Sequence, residues 1–371
     1  MYAVGSFSLV SNGTYPSPIG RNNAFAFSAS PPYLVNGWNP NVNGRVDTVA
    51  CSPDGPILLG GTFSSAGGAA NRNLAKVDAS TGRSLPFALH PAGRVAHIEV
   101  VSGHTLVGGY FPGYLTSVAP TTGLPDGYAM PSITGTYSYP GVVAHHTRIY
   151  NMTPKSDASA VLLTGVFTSV GGQHHEQVVR LDLTRGPGAA QVSAWEPTEL
   201  EQHCATNEPF YAQDATFAPD GQHIYVATTG YHPYDRPVGG FPRTGPCDAV
   251  ISYPSAETPI AGHTWINYTG CDSFYSVAAD TATVFAGGHQ RWVNNGFGCD
   301  YAGPGAVAQP GLAEVDAVTG AYQPGPNRGR GWGADDLLRT PFGLWVASDN
   351  FQGTETCNGQ HGHMGICFLP N

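Results

Sequence analysis

One strand ending recurs seven times along this chain, and nothing else in the sequence limits the fold as tightly. It reads Val-Gly-Ser-Phe at 4–7, Gly-Gly-Thr-Phe at 60–63, Gly-Gly-Tyr-Phe at 108–111 and Thr-Gly-Val-Phe at 164–167. It continues as Thr-Thr-Gly-Tyr at 228–231, Gly-Gly-His-Gln at 287–290 and Ser-Asp-Asn-Phe at 348–351. An apolar run precedes each copy. The copies stand roughly 50–60 residues apart, the spacing of propeller and solenoid arrays.

Each unit reads as four strands, a to d. Strand a ends in a tight turn, as in Ser52-Pro53-Asp54-Gly55, Ala218-Pro219-Asp220-Gly221 and Thr340-Pro341-Phe342-Gly343. Pro followed by Asp-Gly sets a hairpin there. Strand b carries the recurring ending. Strand c alternates apolar and polar residues, as a half-buried strand does. Examples are Asn-Leu-Ala-Lys-Val-Asp at 73–78, Gln-Val-Val-Arg-Leu-Asp at 177–182 and Gly-Leu-Ala-Glu-Val-Asp at 311–316. Two copies run into Asp-x-x-Thr-Gly turns at 78–82 and 316–320. Strand d is short and often holds Trp, at 37–40, 193–197 and 264–267. The reading is all-β: a seven-bladed β-propeller of four-stranded antiparallel blades, stapled by disulfides, in one domain over residues 1–371. A six-bladed ring with the two partial end units merged is the alternative. The first unit lacks strand a and the last lacks a clear d. With no signal peptide at a start that lies inside a strand, the chain reads as a processed or truncated form whose upstream strand is missing. The third unit is degenerate, and long insertions at 196–212, 230–246 and 288–310 are where binding loops are expected.

Composition supports short strands and turns. Charged residues are 11 %, whereas Gly (49) and Pro (31) are abundant. Hydrophobic residues are 41 %, which argues against disorder. The net charge of −10 and the absence of any Arg or Lys run argue against nucleic acid as a partner. No apolar run is long enough for a membrane span. Seven cysteines point to an oxidising compartment, hence a secreted, extracellular protein. Proximity pairs Cys357 with Cys367, Cys271 with Cys299, and Cys204 with Cys247. Cys51 is left over and reads as a small buried hydrophobe.

The strand a, Pro-Asp-Gly, strand b, Gly-Gly-x-Phe and Leu-Ala-x-Val-Asp elements together resemble the delta-60 repeat propellers. That family is of unknown function and common in secreted actinobacterial proteins. The segments 284–295, 303–307 and 343–349 carry the nearest likeness. The resemblance implies a propeller and brings no catalytic residues with it.

Two sets of residues carry possible chemistry. In the copy at 287–292 the aromatic is replaced, and His289, Gln290, Arg291 and Trp292 stand together. A cation beside an aromatic grips a sugar face or a carboxylate, or else pins the following loop. The second set lies at the starts of the a strands, read as the mouth of a central channel: Asp47, His97, His146, Asp214, Asp272, Asp335 and Asp336. These are expected to bind a ligand (Asp47, His97, His146) or to supply an acid–base pair for glycan cleavage (Asp214, Asp272, Asp335, Asp336). Hydrogen bonding between neighbouring units is the plainer reading. No metal motif is present: Cys-x-x-Cys is absent, and His174-His175-Glu176 lacks a second His one turn on. No cofactor is expected beyond a structural Ca²⁺. Lipase-type Gly-x-Ser-x-Gly and the sialidase Asp box are missing. The Asp-x-x-Thr-Gly turns resemble those of quinone-dependent dehydrogenases without their regular downstream Trp. The expected function is therefore a binding module for a glycan or cell-envelope component. A glycan hydrolase or lyase and a scaffold for a protein partner are the alternatives.

Overall fold

The computed structural model describes residues 1–12, 15, 17–137, 145–201, 210–230, 245–325, 333–348, 356, 357, 360, 361 and 365–371. Regular structure in these residues is strand, apart from a 3₁₀ turn at Thr198–Glu201. No helix among them is long and apolar enough to cross a membrane. The chain divides into two compact units. One holds residues 1–134, 147–152 and 182–191; the other holds 135–146, 153–181 and 192–371.

In the first unit, the second repeat is a complete antiparallel meander. Strand a is Arg45–Cys51, b is Ile57–Thr62, c is Leu74–Val77 and d is Ser84–Leu85, paired in that order. In the first repeat, Tyr2–Val4 pairs with Ala24–Ala26 and Leu9–Val10 with Ile19–Gly20, with a bridge from Phe27 to Val35. The third repeat, Val95–Val101, His104–Gly109 and Leu115–Val118, has three strands. In the second unit, the fifth repeat is again complete: Ala212–Phe217, His223–Thr228, Ala249–Pro254 and Trp265–Tyr268. The sixth (Phe274–Ala279, Thr283–Gly288, Leu312–Asp316) and seventh (Ala334–Thr340, Gly343–Ser348, Ile366–Pro370) have three strands each. The Asp-Gly turns form as expected, with Gly55 N–H donating to Ser52 and Gly221 N–H to Ala218, both at 2.9 Å. Gly55 and Gly221 both take positive φ, which a side chain resists.

The apolar cores lie between successive sheets. Leu58 and Leu74 of the second repeat pack with Val95, Ile98 and Val107 of the third. Val250 and Tyr225 of the fifth pack with Val277, Val284 and Val315 of the sixth. Stacking of this kind makes each repeat depend on its neighbour.

The recurring Gly-Gly has a specific structural cause. Strand a carries a β-bulge in five repeats, between Val46 and Thr48, Val95 and His97, Ala212 and Asp214, Phe274 and Ser276, and Ala334 and Asp336. A bulge kinks its strand toward the partner. The second glycine of the pair sits against that kink. A Cβ on Gly61 would lie 2.2 Å from the Arg45 carbonyl oxygen, and one on Gly288 would lie 2.1 Å from that of Ser273. The first glycine instead faces the next repeat: a Cβ on Gly60 would meet Val95 at 2.5 Å. Register also corrects the alignment of two copies. The pair opposite the bulge is Ala227-Thr228 in the fifth repeat and Ala347-Ser348 in the seventh. Each lies one residue earlier than the copies at 228–231 and 348–351 imply.

The strand d tryptophans join repeats. The Trp38 indole N–H donates to the Asp78 carbonyl at 2.9 Å, Trp195 to Pro254 at 2.9 Å and Trp265 to Ala317 at 3.1 Å. Two of these acceptors belong to the Asp-x-x-Thr-Gly turns. There Asp78 and Asp316 accept from the backbone and hydroxyl of Thr81 and Thr319. Gly320, at positive φ, leaves room for the Trp265 ring, which a Cβ would approach to 2.5 Å. These turns are therefore seats for the preceding repeat's tryptophan.

Cys271–Cys299 and Cys357–Cys367 are disulfides, as proximity predicts. The expected Cys204–Cys247 pair lies outside the described residues, because Cys204 is not among them. Cys51 is exposed rather than buried, since it falls at the outward-facing end of its strand.

Candidate functional site

The bulges decide where the strand a candidates go. Asp47 is itself a bulged residue, and its side chain is only 4 % exposed. Such a buried carboxylate needs donors. Arg94 supplies two, Nε at 2.9 Å and Nη2 at 2.8 Å, and Arg45 Nε adds a third at 2.5 Å. Burial opposes the charge on Arg94, but the Asp47 bond together with the charges of Asp47 and Tyr110 outweighs it and holds the guanidinium above its ordinary pKa.

A row of stacked cations and rings continues from Arg94. Its guanidinium lies 4.8 Å from the centre of the Tyr110 ring. Arg148 lies 5.2 Å from the same ring and 5.4 Å from that of Tyr150, with Nη2 donating to the Tyr150 hydroxyl at 3.2 Å. Contacts of this type contribute about 0.5–1 kcal/mol each at a wet surface. Among the described residues Arg148 has no carboxylate within ion-pair distance, and its Nε is buried without a hydrogen-bond partner. Arg45, Arg94 and Arg148 thus stand against the single Asp47 carboxylate. Arg94 also borders an open cleft of about 540 Å³ lined by Asn43, Ser64, Arg72 and Asn73. The sequence reading found Asp47 here and missed Arg94, Tyr110, Arg148 and Tyr150.

The other candidates are not gathered with this row. His97 follows its bulge and lies 3.0 Å from Glu99. His146 is exposed. Asp214 is buried and accepts from Ala215 N–H at 2.8 Å and, in the next repeat, Val277 N–H at 2.9 Å. Its carboxylate is thus a clamp between strands. Asp335 and Asp336 are exposed on Ala334–Thr340.

Two candidates from different sets do meet. Asp272, side chain 3 % exposed, accepts Arg291 Nε at 2.8 Å, Nη2 at 2.9 Å and backbone N–H at 2.9 Å. Arg291 also pairs with Asp300 at 3.0 Å and lies 4.4 Å over the Trp292 ring. Bonding to Asp272 holds its pKa above the ordinary value. This is the loop-pinning arrangement, reinforced by the Cys271–Cys299 bridge beside it. Gln290 is fully buried and donates to the Gln309 carbonyl at 3.2 Å; His289 stacks on Tyr275 at 5.4 Å. Replacement of the aromatic in this copy therefore serves the long loop 291–310.

No family model and no curated protein matches this chain. Among solved structures, it is similar to the WD40 β-propeller domain of Doa1, at TM-score 0.51 and 8 % identity over 94 % of this chain and 86 % of that one. It is also similar to Kuenenia stuttgartiensis hydrazine synthase, at TM-score 0.50 and 12 % identity over 94 % and 89 %. At such identities the likeness concerns fold alone, and the fold is that of a β-propeller.

Proposed function

We propose that this protein is a secreted β-propeller binding module of the delta-60 kind, with residues 1–371 as one domain. Its ligand on this reading is an acidic glycan of the cell envelope, held on the Arg94–Tyr110–Arg148–Tyr150 row. The observation that carries the reading is Arg148, a guanidinium between two tyrosine rings with no described counter-ion, in a chain of net charge −10. Arginine forks match carboxylates, and aromatic faces suit sugar rings. The neighbouring Asn- and Arg-lined cleft gives room for a chain of residues. The two disulfides agree with an extracellular site of action.

The test is affinity electrophoresis in gels containing polygalacturonate or neutral dextran. The wild type is expected to be retarded by the polyuronate only, and less so as salt rises. Arg148→Ala and Tyr110→Ala are expected to abolish retardation without changing the melting temperature. Equal retardation by dextran, or retention of binding in both variants, overturns the proposal. Loss on Trp292→Ala alone would move the site to the pinned loop.

A protein-partner reading has one observation in its favour. Leu338 and Phe342 of the seventh repeat are 49 % and 80 % exposed. A stable complex lost on Phe342→Asp would support it.

A further inference from the structure

A different cluster lies in the second unit, among residues 169–201, and shares no residue with the arginine–tyrosine row. The hairpin of Ser169–Val170 and Gln173–His174 presents His174 at its end. Strand Glu196–Pro197 and the 3₁₀ turn Thr198–Glu201 bring up Glu196 and Glu201. His174 Nδ1 lies 2.9 Å from Glu196 Oε1 and 3.7 Å from Glu201 Oε1. One donor atom from each of the three residues falls within 4.8 Å of the other two.

The turn that carries the carboxylates is well anchored. The Leu200 carbonyl accepts Gln177 Nε2 at 2.6 Å and the Tyr211 hydroxyl at 3.0 Å. Glu199 Oε1 accepts the Tyr253 hydroxyl at 2.6 Å and lies 3.0 Å from His263 Nδ1. Leu200, Gln177, Tyr211 and Tyr253 are all buried. The backbone of the carboxylate-bearing turn is therefore placed by the core rather than by a loose loop.

We propose that His174, Glu196 and Glu201 together bind one divalent transition-metal ion of the zinc class. Two ligands each about 2.1 Å from one ion stand roughly 3.0 Å apart at a right angle and roughly 3.4 Å apart at a tetrahedral angle. The observed 2.9 and 3.7 Å bracket those separations, so small side-chain adjustments suffice. One imidazole with two carboxylates is a borderline donor set, suited to zinc or cobalt. Calcium takes about six to eight oxygens, more than this cluster offers.

An independent observation comes from the next residue. His175 is 2 % exposed, and its Nδ1 has no hydrogen-bond partner among the described residues. It is a second imidazole, adjacent in sequence to His174, with an unused ring nitrogen. Glu176 follows and is also buried. The cluster itself sets two carboxylates against one imidazole, a charge that a divalent ion offsets.

The test uses the chelator-treated full chain, titrated with Co²⁺ and followed by its visible absorption, and with Zn²⁺ against a chromophoric competitor. About one equivalent is expected. His174→Ala and Glu201→Gln are each expected to weaken binding at least about tenfold, as ligand losses do. His174 is exposed, so neither change is expected to alter the circular dichroism spectrum. Zinc is expected to raise the melting temperature of the wild type and not of the double variant. Sub-stoichiometric binding, equal affinity in both variants, or displacement of the metal by Ca²⁺ overturns the proposal.

Discussion

The third repeat allows the Gly-Gly explanation to be tested on two adjacent residues with opposite expected outcomes. A Cβ on Gly109 would lie 2.3 Å from the Arg94 carbonyl oxygen and 2.9 Å from the Ala96 nitrogen. Both are backbone atoms at the bulge, and neither can turn aside. Relief needs a shift of about 1 Å, because such contacts normally begin near 3.4 Å. The Arg94 carbonyl also accepts the Tyr110 N–H at 2.9 Å, so the shift breaks a ladder bond. Overpacking costs about 1–3 kcal/mol and the lost bond about 1 kcal/mol. Reduced freedom of the unfolded chain returns about 0.4–1 kcal/mol. Gly109→Ala is thus expected to destabilise by about 2–3 kcal/mol. At Gly108 the nearest atoms are Ile149 Cγ2 at 3.0 Å and Met152 Sδ at 3.2 Å, both side chains. Methionine yields readily, so Gly108→Ala is expected to stay within about 1 kcal/mol of wild type. Urea unfolding followed by tryptophan fluorescence measures both. Equal midpoints, or a larger loss for Gly108→Ala, would refute the bulge as the cause of the motif. Gly109→Ala also moves Arg94, so polyuronate binding is expected to fall with it.

Three further predictions concern stability. Lys76 is buried, with Nζ 2.7 Å from Asp54 and 2.7 Å from the Thr121 carbonyl, whereas Asp54 is 40 % exposed. Asp54→Ala strands the buried ammonium and is expected to cost about 3 kcal/mol, while Lys76→Met, which leaves a solvated carboxylate, costs about 1 kcal/mol; urea midpoints decide the order. Replacing Cys271 and Cys299 together by Ser opens a 28-residue closure and is expected to cost about 3–4 kcal/mol without reductant. Burial, and to a smaller extent the charge of Asp280, pushes the Glu314 carboxyl above its ordinary 4.5. The folded chain then holds this proton to higher pH than the unfolded chain, so the group's stabilisation is present below pH 4.5 and is lost as pH rises above it. Glu314→Gln is expected to flatten that limb of the melting temperature against pH; an unchanged slope refutes the assignment.

The all-β architecture was legible because it is written locally. Alternation, Asp-Gly turns and the recurring ending each lie within one hairpin. The slips at 228 and 348 arose where Ala227 and Ala347 stand in for glycine. Alanine carries no turn or bulge signal of its own, so the alignment drifted to the next small or polar residue. The channel-mouth reading of the aspartates failed to foresee their partners for a different reason. Asp47 meets Arg94 across 47 positions and Asp214 meets Val277 across 63, distances at which no periodicity speaks. Arg148 and Tyr110 likewise come from different repeats. Asp272 and Arg291 were both singled out, yet only the folded chain makes them one ion pair.

What the arginine–tyrosine row holds decides the proposed function. A crystal structure of the protein with an oligogalacturonate tests this directly. The predicted result is a uronate carboxylate on the Arg148 guanidinium, with its ring against Tyr110 or Tyr150. Sugar density confined to the Trp292 loop, or none at saturating ligand, would contradict it.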